Sequence, residues 1–405
     1  MAGSTLTSQP APIASRLATR MSRLGTETAF EVLARAQALE ARGRSIIHLE
    51  IGEPDFATPE AVVEAGVRAL RDGHTHYTPS PGIAPLREAV AAEMHRTRGL
   101  RVSPEQVVVT PGAKPILFFA LLALVDHGDE VICPDPGFPI YESMIRYAGG
   151  AVVPVTLPES NAFRLDIAGL RRAVTPRTKM IILNSPANPT GGVLEPEDLA
   201  RIAEIAVEHD LMVFADEIYS RLLYEGEHHS IAVLPGMAER TILLDGFSKT
   251  YAMTGWRLGY GVMPLDLVPH ISRLMTNSNS CTAAFTQLAG LEAITGDQAP
   301  VEAMRAEFLR RRDVIVAGLN ALPGVRCALP KGAFYAFPNI TATGLGARDL
   351  ATRLLDEAGV ATLAGSSFGA GGEGYLRLSY ANSVENIQEA LARMGRFLTE
   401  LQGGR

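Results

Sequence analysis

Cysteines and long apolar runs are both scarce in this sequence of 405 residues. The three cysteines, Cys133, Cys281 and Cys327, form an odd and scattered set, which suits a reducing compartment and argues against a disulfide framework or a metal site. The longest apolar run, 116–125, is half as long as the roughly 20 residues that a membrane span needs. Residues 1–15 lack the basic start and apolar core of a secretory signal. We therefore expect a cytoplasmic protein.

An excess of positive charge is also absent, since 44 acidic residues outnumber 37 lysines and arginines and the formal net charge is −7. Such a chain offers no basic surface for nucleic acid. It contains no dinucleotide-binding glycine motif and no internal repeat, and without a helix-turn-helix pattern it is a poor candidate for a transcription regulator. Hydrophobic residues make up 47% of the chain and charged residues 20%, as in a soluble globular protein large enough for two domains.

What the sequence does contain is a regular alternation of short apolar runs and helical patterns. This alternation predicts an α/β fold, with a largely parallel sheet covered on both faces and its chemistry at the carboxyl ends of the strands. The predicted strands lie at 107–110, 130–133, 152–155, 180–184, 212–216, 241–245 and 258–262.

Further elements are predicted on both sides of this sheet. A helix over 28–42 precedes it and a long helix over 302–320 follows, with the basic run 310–312 interpreted as a solvated face. Strands at 332–337 and 375–380 would build a smaller α/β domain. The histidine pairs at 74/76 and 228/229 are interpreted as solvated loops, because no cluster of carboxylates or cysteines accompanies them.

A lysine and an arginine, Lys249 and Arg257, stand eight residues apart directly after the strand at 241–245. Only a lysine amine can form an imine with an aldehyde cofactor, and a guanidinium can hold a phosphate by two parallel hydrogen bonds. Together they indicate pyridoxal phosphate. Because a lone lysine after a strand is usually a solvated charge, this interpretation depends on three further segments.

The three segments each end a strand in a polar turn. Asp216 ends the strand at 212–216, where a carboxylate could keep a pyridine nitrogen protonated, and Tyr219 could bond the ring oxygen. Asn188 lies in a turn made rigid by two prolines and two glycines. At 110–115 a glycine turn leads into the helix at 116–125, whose free N–H groups would cradle a phosphate; proline suits the first turn there.

In this order and spacing the four segments resemble the class I/II aminotransferases of the pyridoxal-phosphate-dependent fold type I superfamily, and in particular the bacterial and archaeal aspartate-aminotransferase-like branch. The resemblance runs from about residue 16 to the last helix. It implies a mostly parallel seven-stranded sheet in a large domain plus a smaller α/β domain. We expect an N-terminal segment at 1–58 that joins the small domain, a large domain at 59–295 and a small domain at 296–405.

The resemblance also implies a role for each motif residue. Lys249 becomes the catalytic residue that bonds the cofactor aldehyde and later moves the proton at the substrate Cα. The implied cofactor contacts are Arg257 at the phosphate, Asp216 at the pyridine nitrogen, Tyr219 and Asn188 at the ring oxygen, the backbone N–H groups of Ala113 and Lys114 at the phosphate, and Phe138 stacked on the ring. Tyr77 resembles a tyrosine that reaches the phosphate of a neighbouring subunit, so a homodimer is expected.

On the substrate side, the resemblance assigns the α-carboxylate to Arg377, with Asn188 and the backbone of Gly52 beside it. Lys114 matches a lysine that helps to hold a distal carboxylate. Two positions depart from the family pattern: Ala187 replaces a second asparagine, and Gly246 replaces a phosphate-binding serine. Losing one neutral hydrogen bond costs about 0.5–1.5 kcal/mol, and we expect Ser248 or a water molecule to compensate.

The function that follows is ping-pong transfer of an amino group from an L-amino acid to a 2-oxo acid, with aspartate or glutamate as the first choice of donor and no metal. Aromatic, alanine-like and basic amino acids remain open, because one scaffold serves all of them. A pyridoxal-phosphate-dependent C–S lyase of the same fold is the other alternative.

Overall fold

A seven-stranded sheet lies at the centre of the structure, a computed structural model that describes residues 13–403. Its strand order is β2-β8-β7-β6-β5-β3-β4. Strand β8 runs in the direction opposite to the other six, which are parallel to one another. All seven predicted strands are present, each within two residues of its predicted bounds, and the predicted fold class is confirmed. The strands are β1 (Ile47–His48), β2 (Val107–Thr110), β3 (Glu130–Asp135), β4 (Ala151–Thr156), β5 (Thr178–Asn184), β6 (Met212–Asp216), β7 (Thr241–Gly246), β8 (Gly259–Val262), β9 (Tyr335–Ala336), β10 (Val360–Ala361), β11 (Leu363–Ala364) and β12 (Leu376–Ser379).

The helices cover both faces of this sheet, and consequently β2, β7 and β8 are buried at every position. Strands buried on both faces read as continuous apolar runs rather than as alternating patterns. The helices are α1 (Thr28–Glu40), α2 (Glu60–Arg71), α3 (Ala84–Arg98), α4 (Lys114–Leu124), α5 (Pro139–Ala148), α6 (Ile167–Ala173), α7 (Pro196–Glu208), α8 (Val268–Asn279), α9 (Ala284–Thr295), α10 (Ala299–Asn320), α11 (Ala347–Arg353) and α12 (Val384–Gly403).

Proline and glycine mark many helix ends. A proline occupies one of the first two positions of α3, α4, α5, α7, α8 and α10, where its missing N–H costs nothing. Gly99 and Gly149 end α3 and α5 in the left-handed conformation, which glycine adopts without strain. Accordingly α4 and α10 begin two and three residues before their predicted starts, and α1 ends two residues early.

A smaller group of strands stands apart from the central sheet. The antiparallel sheet β11-β12-β9 carries Arg377, while β1 pairs in parallel with β10. The strand predicted at 332–337 shortens to β9, because Ala333 has a φ of 58° and its N–H donates to the Leu222 carbonyl instead of to a strand. The strand predicted at 375–380 is β12.

The interpretation of the basic run 310–312 as solvated is wrong for two of its three arginines. Arg310 is exposed, but Arg311 is 7% exposed and Arg312 is 5% exposed. Arg311 donates to Asp55 at 2.6 Å and lies over the ring of Phe56. Carboxylate and aromatic partners from distant parts of the chain compensate the buried charge.

The interpretation of His228 as a solvated loop residue is also wrong. Its side chain is buried, with Nε2 2.9 Å from Glu217 Oε2. The other histidines of the two predicted pairs, His74, His76 and His229, are exposed. All three cysteines are free, and burial raises the pKa of Cys133 and Cys327 to about 12. Within 13–403 no helix combines the length and apolarity needed to cross a membrane. The expectation about a secretory signal concerns residues that lie mostly outside the described range.

Candidate active site

A cavity of about 560 Å³ opens where β5, β6 and β7 reach their carboxyl ends. Its lining includes eleven of the twelve predicted site residues, although Asn188 and Arg377 are 189 residues apart in the chain. Parallel strands bring the loops after their carboxyl ends to one edge of a sheet, and this is why the motifs meet. The eleven are Gly52, Ala113, Lys114, Phe138, Asn188, Asp216, Tyr219, Ser248, Lys249, Arg257 and Arg377.

The Lys249 amine is buried in this cavity. Its Nζ donates to the Gly52 carbonyl at 2.5 Å and lies 5.8 Å from the centre of the Phe334 ring. Burial, aided by the nearby charges of Lys114 and Arg377, lowers the pKa of Lys249 to about 8. A lysine with a pKa in this range supplies a neutral, nucleophilic amine near physiological pH.

The Asp216 carboxylate faces the same cavity without a cationic partner among residues 13–403. Its Oδ2 accepts a hydrogen bond from the Tyr141 hydroxyl at 2.6 Å, and its Oδ1 accepts one from the Ile218 N–H at 3.2 Å. Burial raises the pKa of Asp216 to about 6, although the Tyr141 bond opposes this rise. A buried carboxylate of this kind gains stability when a protonated ring nitrogen approaches.

A turn of backbone closes the cavity between β2 and α4. A Cβ added to Gly112 would lie 2.1 Å from Arg257 Nη2, and one added to Gly259 would lie 2.4 Å from the Ala113 nitrogen. Only glycine permits this close approach. No side chain caps the first turn of α4, so its N–H groups and the Arg257 guanidinium form an anion cradle.

Arg377 is buried on the opposite side of the cavity. Its Nη1 donates to Asn188 Oδ1 at 3.3 Å and its Nη2 donates to the Glu50 carbonyl, but its buried Nε has no partner within the part of the chain that the structure describes. Its guanidinium lies 4.6 Å from the ring centre of Tyr335 and 5.1 Å from that of Phe368. Burial lowers the pKa of Arg377. This under-compensated fork suits a carboxylate ligand.

Tyr141, Tyr335 and Asn184 also line the cavity, and sequence reasoning missed all three. Tyr335 and Tyr219 place their hydroxyl oxygens 2.8 Å apart, and burial raises the pKa of both. Asn184 accepts from the Asn188 N–H at 2.8 Å, and Tyr141 positions Asp216. Asn184 ends a predicted strand and could have been found. The partners of Tyr141 and Tyr335 lie more than 70 residues away, so no local pattern reveals them.

The remaining predicted residues occupy the outer part of the site. Phe138 packs edge-on against Tyr141, with 5.6 Å between ring centres. Lys114 Nζ lies 5.4 Å from the centre of the Phe138 ring and pairs with Glu27. Tyr77 is 88% exposed and does not line the cavity of its own chain.

Behind the cavity, a buried charge network joins the ends of β6 and β7. Arg98 donates from Nε to Glu217 at 2.6 Å and from Nη2 to Ser220 at 2.9 Å and to Asp245. Glu217 also accepts from Ser230 at 2.5 Å and contacts His228. The network therefore braces the ends of the strands from which Asp216 and Lys249 project, and no local sequence pattern predicts it.

Comparison with known proteins decides the family. The sequence profile described as "Aminotransferase class I and II" matches residues 44–394. The chain belongs to this aminotransferase family. It is 43% identical over 369 residues to aromatic-amino-acid aminotransferase 2 of Thermococcus litoralis, covering 90% of this chain and 94% of that protein. It is also 43% identical over 361 residues to the aspartate aminotransferase of Pyrococcus abyssi, covering 88% and 92%.

Solved structures of aminotransferases share the fold. The structure of Thermus thermophilus aspartate aminotransferase with maleate superposes with a TM-score of 0.90 at 42% identity, covering 94% of this chain and 99% of that one. The predicted family and the predicted activity class are thereby confirmed. The chain is an enzyme that transfers amino groups.

Membership in this aminotransferase family implies pyridoxal phosphate, and the residues present fit that group. Because Gly112 has no Cβ, the Arg257 guanidinium can lie against the turn at the start of α4, where both can face a phosphate. Asp216 offers a carboxylate without a cationic partner among residues 13–403, and Lys249 offers an amine of lowered pKa. Among residues 13–403, no group of three histidine, cysteine, aspartate or glutamate side chains could hold a metal ion.

The two departures from the family pattern have different structural settings. A Cβ on Gly246 would lie 2.9 Å from the Gly259 Cα on β8, so a serine does not fit at 246 unless the backbone moves. Ser248 lines the cavity. Ala187 is buried and its carbonyl accepts from the Gly191 N–H at 2.8 Å, so this turn closes without a second asparagine.

Proposed function

We propose that this aminotransferase binds pyridoxal 5′-phosphate in the cavity and transfers the amino group of an L-amino acid to a 2-oxo acid in a ping-pong reaction. The observation that carries the proposal is the Lys249 amine, which has a lowered pKa and shares one cavity with Arg377 and with the Asp216 carboxylate, which has no cationic partner among residues 13–403.

The residues that would hold the cofactor fall into two sets. Arg257 and the N–H groups at the start of α4 would bind its phosphate. Asp216, Tyr219, Asn188, Phe138 and Ser248 would contact its ring or lie beside it. When bound, pyridoxal phosphate accepts the electrons that are released at the substrate Cα.

The chain's own residues then bind the substrate and move one proton. Arg377 holds the α-carboxylate by two parallel hydrogen bonds, with Asn188 and the Gly52 backbone beside it. This leaves the Cα facing Lys249, which takes the proton from that carbon. A pKa of about 8 leaves roughly one such amine in ten neutral at pH 7, against about one in several thousand for an ordinary lysine.

Aspartate or glutamate is the proposed donor, since Lys114 offers a cation for a second carboxylate at the cavity edge. Relatives at equal identity are named for aspartate and for aromatic amino acids, so aromatic donors stand as the alternative. Alanine-like and basic donors, and a C–S lyase reaction, are outcomes that the experiment below would reveal.

The active unit is proposed to be a cytoplasmic homodimer in which Tyr77 reaches the phosphate of the neighbouring subunit. The exposure of this large ring on a single chain supports that role. A large domain at 59–295 and a small one at 296–405 are proposed, with 1–58 joining the latter through the pairing of β1 with β10.

The test is a half-reaction screen. Each amino acid is added singly to the cofactor-loaded enzyme, and the imine absorbance band is followed. Rapid conversion to the pyridoxamine form with aspartate or glutamate is expected. Conversion with aromatic or basic amino acids alone would refute the donor, and release of pyruvate without an oxo-acid acceptor would indicate a lyase.

A substitution tests whether Lys249, rather than another lysine, is the catalytic residue. Lys249→Ala should abolish turnover, because it removes the amine that bonds the cofactor and moves the proton. Lys331→Ala serves as the matched control, because Lys331 pairs with Glu195 outside the cavity. Wild-type kcat in Lys249→Ala would refute the assignment.

A further inference from the structure

Glu27 and Lys114 form an ion pair at the outer wall of the cavity. Glu27 directly precedes α1, and Lys114 is the first residue of α4. The Glu27 side chain is only 18% exposed, whereas that of Lys114 is 51% exposed. The cation that would receive a substrate's distal carboxylate is therefore already paired with a carboxylate of the protein.

We propose that Glu27 is a displaceable counter-charge on Lys114, which allows one pocket to accept both acidic and uncharged substrate side chains. The inference rests on the proposed function and specifies its substrate class. An acidic side chain displaces the Glu27 carboxylate from Lys114, whereas an uncharged one leaves the pair closed.

The charges that line the cavity support this role. Four cations face it, and three of them, Lys249, Arg257 and Arg377, are committed to the cofactor or the α-carboxylate. Lys114 is the one left for the substrate side chain. The other outer carboxylate, Glu53, accepts a hydrogen bond from Thr254, so Glu27 alone neutralises Lys114 among the described residues.

The remaining outer wall is apolar. Ala29, Phe30, Ile51 and Leu117 line it beside the pair. An aromatic or aliphatic side chain can lie against this wall while the pair stays closed, so no buried charge loses its partner. With Glu27 always paired, an acidic side chain would find no free cation and would meet a like charge.

Exchange of one carboxylate for another on Lys114 has a small net cost, because one ion pair is lost and one is gained. Glu27 can withdraw, since it lies outside α1 on the extended segment that leads into that helix. A ping-pong enzyme binds its donor and its acceptor at one site in turn, so a pocket that tolerates both polarities allows the two to differ.

The first test compares Glu27→Gln with wild type on aspartate and on phenylalanine. Freeing Lys114 from this partly exposed ion pair should raise kcat/KM for aspartate by roughly two- to fivefold. The value for phenylalanine should change less than twofold. Glu31→Gln is the matched control, because it removes the same charge from an exposed position on α1.

Lys114→Met reveals whether Glu27 acts through the lysine. Alone it should lower kcat/KM for aspartate by about tenfold and spare phenylalanine. In the Lys114→Met background, Glu27→Gln should lose most of its gain for aspartate, because that gain comes from the freed lysine and residues that act through one pair are non-additive. Independent, additive effects would overturn the proposal, as would an unchanged or lower aspartate value in Glu27→Gln.

A binding measurement separates this inference from the proposed function. Succinate and 3-phenylpropionate are titrated calorimetrically into the loaded enzyme, where neither can react. Glu27→Gln should tighten succinate binding roughly two- to fivefold and leave the binding of 3-phenylpropionate unchanged. If wild type converts aspartate and phenylalanine but the variant keeps the wild-type affinity ratio, only this inference fails. If wild type binds and converts none of them, the proposed function fails too.

Discussion

Arg98 and Arg377 are both guanidinium groups buried away from solvent, and they differ in their partners. Arg98 is bonded to two carboxylates and two hydroxyls. Burial alone would lower its pKa, but Glu217 and Asp245 raise it above the ordinary value. Arg377 has an amide, a backbone carbonyl and two aromatic rings as neighbours, and burial lowers its pKa.

The difference shows how one chain uses the same group in two ways. A charge whose partners are complete stabilises the fold and has nothing left for a ligand. A charge that is desolvated but incompletely paired costs folding free energy, and a ligand carboxylate can recover that cost. Arg98 is therefore part of the framework, whereas Arg377 has the incomplete pairing that supports its proposed role in binding.

Adjacent carboxylates repeat the contrast. Burial raises the pKa of Asp216 to about 6, whereas in Glu217 the opposing charges of His228 and Arg98 outweigh burial and lower the pKa to about 2. The first faces the cavity and the second faces the network. Two adjacent carboxylates therefore differ in role: Asp216 belongs to the cavity, and Glu217 belongs to the buried network.

The largest expected effect on stability comes from Arg98. Arg98→Met leaves two buried carboxylates uncompensated and should lower the free energy of unfolding by about 3–5 kcal/mol, measured by urea denaturation. Arg377→Met should leave it unchanged or slightly higher. Arg201→Met is the control, because Arg201 is exposed on α7 and its carboxylate partner, Glu204, is exposed as well. Equal losses in the free energy of unfolding for Arg98→Met and Arg377→Met would contradict the contrast between the two arginines.

For Arg377, the expected effect is on substrate binding rather than on stability. Arg377→Met should lower kcat/KM for both the amino acid and the oxo acid by roughly a hundredfold, about 3 kcal/mol, chiefly through KM. Arg377→Lys should recover only part of it, since an ammonium lacks the bidentate fork. Initial-rate kinetics with both substrates measure this, with the exposed Arg326→Met as control. Unchanged KM values would refute the carboxylate role.

The incompletely paired Lys249 predicts a rise in stability with pH in the cofactor-free protein. Its folded pKa of about 8 lies below the unfolded value of 10.5, so the unfolded state binds more protons between these values and stability increases with pH there. The destabilisation caused by burying this amine is fully present below pH 8. Its removal as the pH rises increases the free energy of unfolding by an amount on the order of 3 kcal/mol. Denaturation at pH 7.5 and pH 10 should show the rise in wild type and much less of it in Lys249→Met.

The smallest predicted effect concerns Gly246, which adjoins the buried network around Arg98. The Gly246 N–H donates to Asp245, a partner of Arg98, at 2.7 Å, and β8 leaves no room for a side chain at 246. Gly246→Ser should therefore destabilise the fold by about 1–3 kcal/mol through overpacking. Thermal melting measures it, with Gly255→Ser as control because nothing lies within 4 Å of an added Cβ there. A gain in stability would mean that the region is less tightly packed than the backbone contacts indicate.

Sequence reasoning located the elements whose signals are local. Strands such as β2 and β6 are continuous apolar runs, and Asp216 and Lys249 could be identified because each follows such a strand. It failed where a side chain's partner lies far along the chain. Arg311 belongs to a run that looks solvated, and only the folded chain brings Asp55 to it from 256 residues away.

The pairing of Ile47 with Val360 has a consequence for synthesis on the ribosome. Ribosomes add about 5–20 residues per second, so the first strand emerges roughly 15–60 s before its partner. During that interval Ile46, which is buried in the finished fold in one apolar cluster with Leu355 and Ala361, lacks these two partners. Arg377 donates to the Glu50 carbonyl and emerges later still. A polypeptide released before that residue would thus expose apolar surface to chaperones and proteases. It would also lack the arginine that is proposed to bind the substrate carboxylate.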